Sequence, residues 1–149
     1  MDGRTYLDAV RYLLAAPSEV NRRAAAGPLY CAALNEARDA LERWGFVAPA
    51  DADVDDFVYE RFDEAMNFDL MRIAELLGRV EEYRDLADDS RSPPSEFADD
   101  NKVIGLRGVV LFAIDLLARS RRIPPAGRRP LRTYDRGSLD AASGSHEQG

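Results

Sequence analysis

The sequence predicts an all-α fold: an up-down bundle of four to five helices followed by a disordered C-terminal tail. Apolar residues recur at helical spacing in several separate segments, and no segment alternates apolar and polar residues as a half-buried strand does. The chain has 149 residues, of which 46% are hydrophobic, enough for one domain with its own core. We therefore expect one helical domain at residues 1–122 and a tail at residues 123–149.

Two helices are predicted in the first third of the chain. Pro17 ends the first, and Ser18 is a possible N-cap of the second. Gly45 ends the second helix, and Pro28 within it should kink or restart the helix because proline lacks the backbone N–H. The residues at core spacing are Tyr6, Leu7, Val10, Leu13 and Leu14 in the first helix, and Tyr30, Leu34, Ala37, Leu41 and Trp44 in the second.

Three more helices follow. The third begins near Val54, Asn67 caps the fourth, and a Pro-containing break at residues 90–95 separates the fourth from the last. Both sides of the last helix are apolar, since Val109, Phe112 and Leu116 lie opposite its core positions. The last helix is therefore expected to be either the central helix of the bundle or half of a subunit interface.

Charge and composition restrict the location and the partners. Residues 1–118 carry 13 basic and 24 acidic residues, a net charge of −11, whereas residues 119–149 carry 7 and 3, a net charge of +4. No signal-peptide pattern is visible, and the longest apolar run is too short for a bilayer and contains two charges. We expect a cytoplasmic protein without a membrane segment.

Residues 30–37 (YCAALNEA) resemble the second helix of HEPN-type prokaryotic bundles, with Cys31, Leu34 and Asn35 replacing a tyrosine, a phenylalanine and a histidine of that pattern. Residues 77–88 are similar to a later segment of the family, in which Arg84 and Asp88 keep an i, i+4 spacing. The polar break and final amphipathic helix complete the resemblance, which covers about residues 5–120.

The resemblance implies a helical homodimer in a prokaryotic toxin–antitoxin or phage-defence system, with a nucleotidyltransferase or another protein as partner. Many members are ribonucleases that use an arginine and a nearby histidine. The one histidine of this chain, His146, lies in the predicted tail. Asn35 cannot replace a histidine as a proton donor and acceptor near neutral pH. A degenerate, non-catalytic member is therefore expected.

Candidate groove or interface residues lie in, or directly beside, the two segments that carry the resemblance: Tyr30, Asn35, Arg38, Arg79, Tyr83, Arg84 and Asp88. Asn35 shares a helical stripe with Cys31, Arg38 and Glu42 that points away from the core face. This stripe is either part of a dimer or ligand groove, or a solvated face with an Arg38–Glu42 pair. In a homodimer, we expect the last helix and the Asn35 stripe to form most of the interface.

Several motifs imitate known sites. Asp51, Asp53 and Asp55 match the first ligands of a calcium loop, but the later positions do not match, and attraction of carboxylates to a helix N-terminus explains them better. Residues 105–108 (GLRG) resemble the clamp of KH domains but lie in a helix, where glycines allow close helix packing. Cys31 is expected to be a small buried hydrophobe. No metal or cofactor is expected.

The predicted tail is basic, and Arg128, Arg129 and Arg132 could contact a nucleic-acid backbone. Folding of the tail onto the acidic body, or binding to an acidic partner, explains its charge equally well.

Together these features favour a non-catalytic HEPN-like binding module. An RNA-binding protein or a metal-independent ribonuclease with an atypical site is the alternative. A helical adaptor that retains no family function is a third possibility.

Overall fold

The computed structural model describes residues 2–91 and 94–120 and shows an all-α bundle, as predicted. No strand occurs in these residues. A short 3₁₀ helix at Pro94–Phe97 precedes the last helix. The five α-helices are α1 (Gly3–Leu14), α2 (Glu19–Arg43), α3 (Val54–Asp63), α4 (Phe68–Asp88) and α5 (Asn101–Arg119). The predicted tail at residues 123–149, with Arg128, Arg129 and Arg132, lies outside the described residues.

Four helices begin at a side chain that accepts backbone N–H groups, which is why their starts are visible in the sequence. Ser18 and Asn67 cap α2 and α4, as predicted, and Asp2 caps α1. Asp53 caps α3 by accepting from the N–H groups of Asp55 and Asp56 at 2.9 and 3.2 Å. The acidic run before α3 is therefore a helix start. At the other end of α2, Gly45 has φ of +85°, a backbone conformation that glycine adopts without strain.

The central helix is α2, not α5. It packs against α1, α3, α4 and α5. Alanine makes this possible, because Ala25, Ala32, Ala37 and Ala40 have no exposed surface and let neighbouring helices approach closely. The prediction that α5 could be central is wrong, since Phe112 of α5 is 54% exposed. The other expectation, an α5 interface, stays a prediction.

Pro28 does not restart α2, which is assigned as one helix from Glu19 to Arg43. The carbonyl that proline leaves without an N–H partner belongs to Ala24, four residues earlier. Ala24 is exposed, so water can bind this carbonyl. The predicted stripe from Tyr30 to Trp44 does face the core, and the Trp44 ring meets Phe62 of α3 edge-on, with centroids 6.1 Å apart.

Arg22 and Arg23, at the start of α2, hold together the end of α4 and the start of α5. Arg23 Nη1 donates to the carbonyl oxygens of Leu86, Ala87 and Asp89 at 3.2–3.4 Å. Its guanidinium also lies 4.4 Å from the centroid of the Phe97 ring. Arg22 donates to the carbonyl of Phe97 and pairs with Asp100 at 3.0 Å. Because α4 ends and α5 begins at the same end of α2, α5 runs antiparallel to α4.

Gly3 sits where α1 comes closest to α2. Its N–H donates to Glu36 Oε1 at 2.8 Å. A Cβ at this position would lie 2.4 Å from Glu36 Cγ and 2.8 Å from the carbonyl oxygen of Ala32. The second atom belongs to the α2 backbone and cannot move aside, so only glycine fits at this contact.

We expect Gly3→Ala to lower the free energy of unfolding by about 1–3 kcal/mol, because an added methyl group overpacks this contact. Gly78→Ala is the matched control. Its Cβ would meet no atom closer than 3.9 Å, so this change in mid-helix should stabilise the protein by about 0.5–1 kcal/mol. Urea melts of both variants measure the difference. Equal effects of the two substitutions would contradict the close approach.

Arg23→Lys should destabilise the fold by roughly 1–2 kcal/mol although it keeps the charge, because one ammonium cannot bond three carbonyls and also cover Phe97. The control is Arg11→Lys, since Arg11 is exposed and its ion pair with Asp8 is 3.6 Å long. Thermal melts of the two variants check the prediction. If Arg23→Lys lowers the thermal midpoint no more than Arg11→Lys does, the contact of Arg23 with the end of α4 is not needed for stability.

Candidate functional site

Tyr30, Asp55 and Arg84 form a junction between α2, α3 and α4. The Tyr30 hydroxyl donates to Asp55 Oδ2 at 2.8 Å, and the Arg84 guanidinium lies over the Tyr30 ring, 4.1 Å from its centroid. Arg84 also pairs with Glu81 at 3.5 Å and Asp85 at 3.0 Å. Asp55 is available because Asp53 caps α3 and places Asp55 in its first turn, which faces Tyr30.

A groove of about 340 Å³ opens beside this junction. Its apolar residues are Leu34 and Leu77, and Asp56 and Tyr59 contribute polar atoms from α3. The complete lining is Tyr30, Leu34, Asp55, Asp56, Tyr59, Leu77, Gly78 and Glu81. Two of its three carboxylates already have partners, since Asp55 accepts from Tyr30 and Glu81 pairs with Arg84. The groove is acidic and has no basic lining residue.

The Tyr30 hydroxyl is protonated at neutral pH. Burial raises its pKa well above the ordinary value, and the hydrogen bond to Asp55 raises it further. Tyr30 therefore cannot act as a base near pH 7. Its role in the junction is to donate a hydrogen bond to Asp55.

The prediction that Tyr83 is a groove or interface residue is wrong. It is 2% exposed and packs against the Phe97 ring, with centroids 5.1 Å apart. Tyr83 lies three residues after Val80, which is fully buried, and therefore shares the core side of α4. Burial raises the pKa of Tyr83 to about 12.

Arg84 and Asp88, which have an i, i+4 spacing, do not form an ion pair with each other in the described residues. Arg84 pairs with Glu81 and Asp85, and Asp88 is exposed at the end of α4. The i, i+4 spacing allows the pair, but the Tyr30 ring draws the guanidinium towards α2 instead.

The other candidates lie elsewhere. Arg79 lines a second groove, of about 280 Å³, between α4 and α5. Asn35 and Arg38 are half-buried on α2. The Arg38–Glu42 pair is absent from the ion pairs of the described residues, and Arg38 approaches Asp39 at 3.8 Å. Cys31 is half-buried rather than buried.

The two glycines of residues 105–108 do not pack closely against another helix. A Cβ at Gly105 or Gly108 would meet no atom within 4 Å, and both glycines are exposed on α5. The expectation that these glycines allow close packing within the chain is therefore wrong. No group of residues suited to a metal ion occurs in the described segments.

Sequence reasoning missed two parts of this arrangement. Asp55 was interpreted only as a charge at a helix start, although a carboxylate in the first turn of a helix can also accept a hydrogen bond from a neighbouring helix. The Arg22–Arg23 pair was also missed. The signal for it was the end of α4, which has neither a basic residue in its last turn nor a capping glycine.

Comparisons with family models, with curated proteins and with solved structures find no match to this chain. Among the described residues, no helix is long and apolar enough to cross a bilayer.

Stability should fall at alkaline pH through Tyr30 and Tyr83. An unfolded tyrosine loses its proton near pH 10, whereas both groups hold theirs to higher pH in the folded protein. Their contribution is present below pH 10 and is lost as the pH rises towards 12.

Urea melts at pH 9 and pH 11 test this prediction. The Tyr30→Phe/Tyr83→Phe protein should lose less stability between these two values than the unaltered protein does. The exposed Tyr12, changed to Phe, is the control and should leave the pH dependence as it is. An equal loss in all three proteins would refute the assignment.

Proposed function

We propose that the protein is a non-catalytic helical binding module that acts as a homodimer together with a protein partner. The resemblance to HEPN bundles in residues 30–37 and 77–88 extends this proposal to a prokaryotic toxin–antitoxin or phage-defence system. A small nucleotidyltransferase is the partner that the resemblance implies, and co-purification of the two proteins would test that pairing.

The scatter of the polar residues that could serve a ribonuclease without histidine is the observation that carries this proposal. A ribonuclease without histidine would have to bring Tyr30, Asn35, Arg79, Tyr83, Arg84 and Asp88 to one place. Instead, Tyr30 and Arg84 form the α2–α4 junction, Tyr83 is in the core, and Arg79 lines the α4–α5 groove. Arg79 and Arg84 are five residues apart, so helical geometry separates them by roughly 140° around α4.

Proton transfer is the second argument. General acid–base catalysis typically supplies a factor of about 10² to 10⁴ and needs a group that titrates near the working pH. The described residues contain no histidine, and Tyr30 stays protonated. Both observations support a binding role in place of catalysis.

The purified full-length protein should not cleave RNA in the presence of EDTA. If it does, and if Arg84→Ala abolishes the cleavage while Arg91→Ala does not, the protein is a ribonuclease. Arg91 is the matched control because its side chain is 91% exposed and lies beyond α4. A labelled single-stranded RNA and a gel assay give the measurement.

The RNA-binding alternative rests on the opposite charges of body and tail. Deletion of residues 123–149 should remove any salt-sensitive RNA binding without changing the helical fold, because the acidic body repels phosphate. Arg84→Ala should leave that binding unchanged. RNA binding that persists in the truncated protein and is lost in Arg84→Ala would place the RNA site on the bundle instead.

A further inference from the structure

The outward side of α4 carries four charged residues of alternating sign: Arg72, Glu75, Arg79 and Glu82. All four are exposed. They follow one another at steps of three or four residues and therefore form one stripe along the helix. Such neighbours commonly form ion pairs within a helix. None of the ion pairs in the described part of the chain includes any of them, although ten other pairs do form there.

The order of these charges is self-complementary. Arg72 and Glu82 are equally distant from position 77, and so are Glu75 and Arg79. If a second α4 lies antiparallel across this stripe with a two-fold axis at position 77, each arginine faces a glutamate of the other helix. A two-fold interface requires this relation, in which residue i meets residue j and residue j meets residue i.

Apolar surface lies beside the charged stripe. The α4–α5 groove contains Val109, Phe112 and Leu116 on its α5 side, and Phe112 is 54% exposed. Because α5 runs antiparallel to α4, residues 109 and 116 lie near residues 79 and 72. Phe112 is therefore close to the level of position 77, where the axis would pass. The exposed Gly105 and Gly108 leave the adjoining surface of α5 low and open.

The ends of the stripe follow the same symmetry. Phe68, which is 77% exposed, and the half-buried Leu86 are also equally distant from position 77. In an antiparallel pair, Phe68 of each copy would lie near Leu86 of the other copy. The pattern thus extends over five turns of α4, with apolar residues at both ends and charges between them.

We propose that a second copy of this chain docks on the face formed by α4 and α5, with α4 paired antiparallel about position 77. This inference rests on the homodimer of the proposed function and adds the face and the register. The four charges of the stripe cancel, whereas residues 1–118 together carry a net charge of −11. A locally neutral face is where two acidic bodies meet with the least repulsion.

The Asn35 stripe does not take part in this interface. Arg22 of α2 pairs with Asp100 at the start of α5, and Asn35, thirteen residues after Arg22, is turned from it by roughly 140° around α2. A closed two-fold dimer that uses α4 and α5 therefore leaves Asn35, Arg38 and Glu42 free for another partner.

Charge reversal and its repair test the register. In sedimentation velocity at micromolar concentration, the full chain should have twice its monomer mass of 16.6 kDa. Glu75→Arg places like charges opposite each other at two symmetric positions and should weaken dimerisation about tenfold or more. The double variant Glu75→Arg/Arg79→Glu exchanges the two charges and should restore it. Glu60→Arg, an exposed change on α3, is the control and should have no effect.

The apolar part of the face has its own test. Phe112→Ser should reduce dimerisation by about tenfold or more while the thermal midpoint of a dilute, monomeric sample stays unchanged, because an exposed side chain contributes little to the fold. Tyr12→Ser removes an aromatic ring from α1 that is even more exposed, at 81%, and should leave the dimer intact.

The outcomes separate this inference from the proposed function. A monomer at micromolar concentration overturns both the homodimer and its interface. A dimer that persists in both Glu75→Arg and Phe112→Ser overturns only the interface. The interface is also overturned if Glu75→Arg/Arg79→Glu fails to dimerise although its circular dichroism shows a native helix content. If a co-purified protein of another kind occupies this face in place of a second copy, the inference is likewise wrong.

Discussion

The contact of Arg22 and Arg23 with the end of α4 and the start of α5 is the interaction on which the rest of the bundle depends. The last turn of α4 is acidic, so its own side chains cannot stabilise the helix C-terminus or bond its free carbonyls. Arg23 supplies both functions from α2, and Arg22 fixes the backbone at Phe97 and Ala98. Since the same two residues hold the end of one helix and the start of the next, they fix α5 as the antiparallel neighbour of α4. The groove between these helices exists because of that arrangement.

The alanine content of α2 has a consequence for the surface. Small side chains let α1, α4 and α5 approach α2 closely, so α2 takes the central position. Larger side chains of α5, such as Phe112, do not pack against α2 and remain exposed to solvent. Burial of a Phe side chain contributes about 1.5–3 kcal/mol, and in Phe112 part of this free energy is unused in the single chain. An exposed aromatic ring beside a stripe of charged residues with no net charge is the kind of surface that a partner covers.

The fold could be predicted from the sequence to the extent that it depends on local rules. Ser18, Asn67 and Gly45 were identified correctly because a cap acts on its own helix, within a few residues. The choice of tertiary partner was not predictable in this way. Arg84 has acidic residues at three spacings along α4, and only the position of the Tyr30 ring decides the direction of its side chain. Tyr83 is polar enough to have been assigned to a groove, but Phe97 comes from a segment whose position depends on Arg22, 75 residues earlier in the chain. Spacing alone also gave the wrong reason for Gly105 and Gly108, because it does not show whether any helix lies opposite them.

The two sides of α4 differ in their contacts: one side forms pairs within the bundle, and the other side presents charged residues to solvent. Arg84 and Glu81 point towards α2 and α3, where the Tyr30 hydroxyl and Asp55 complete a set of partners that stabilises the bundle. Arg72, Glu75, Arg79 and Glu82 point outwards without such partners in the described residues. A catalytic arginine would need to approach both a substrate and a proton-transfer group, but the Arg84 guanidinium already lies against Tyr30 and carboxylates. Among the arginines of α4, those that are free to meet another molecule are therefore the two of the outer stripe, where alternating charge favours recognition of a protein surface of matching pattern over the uniformly negative backbone of RNA.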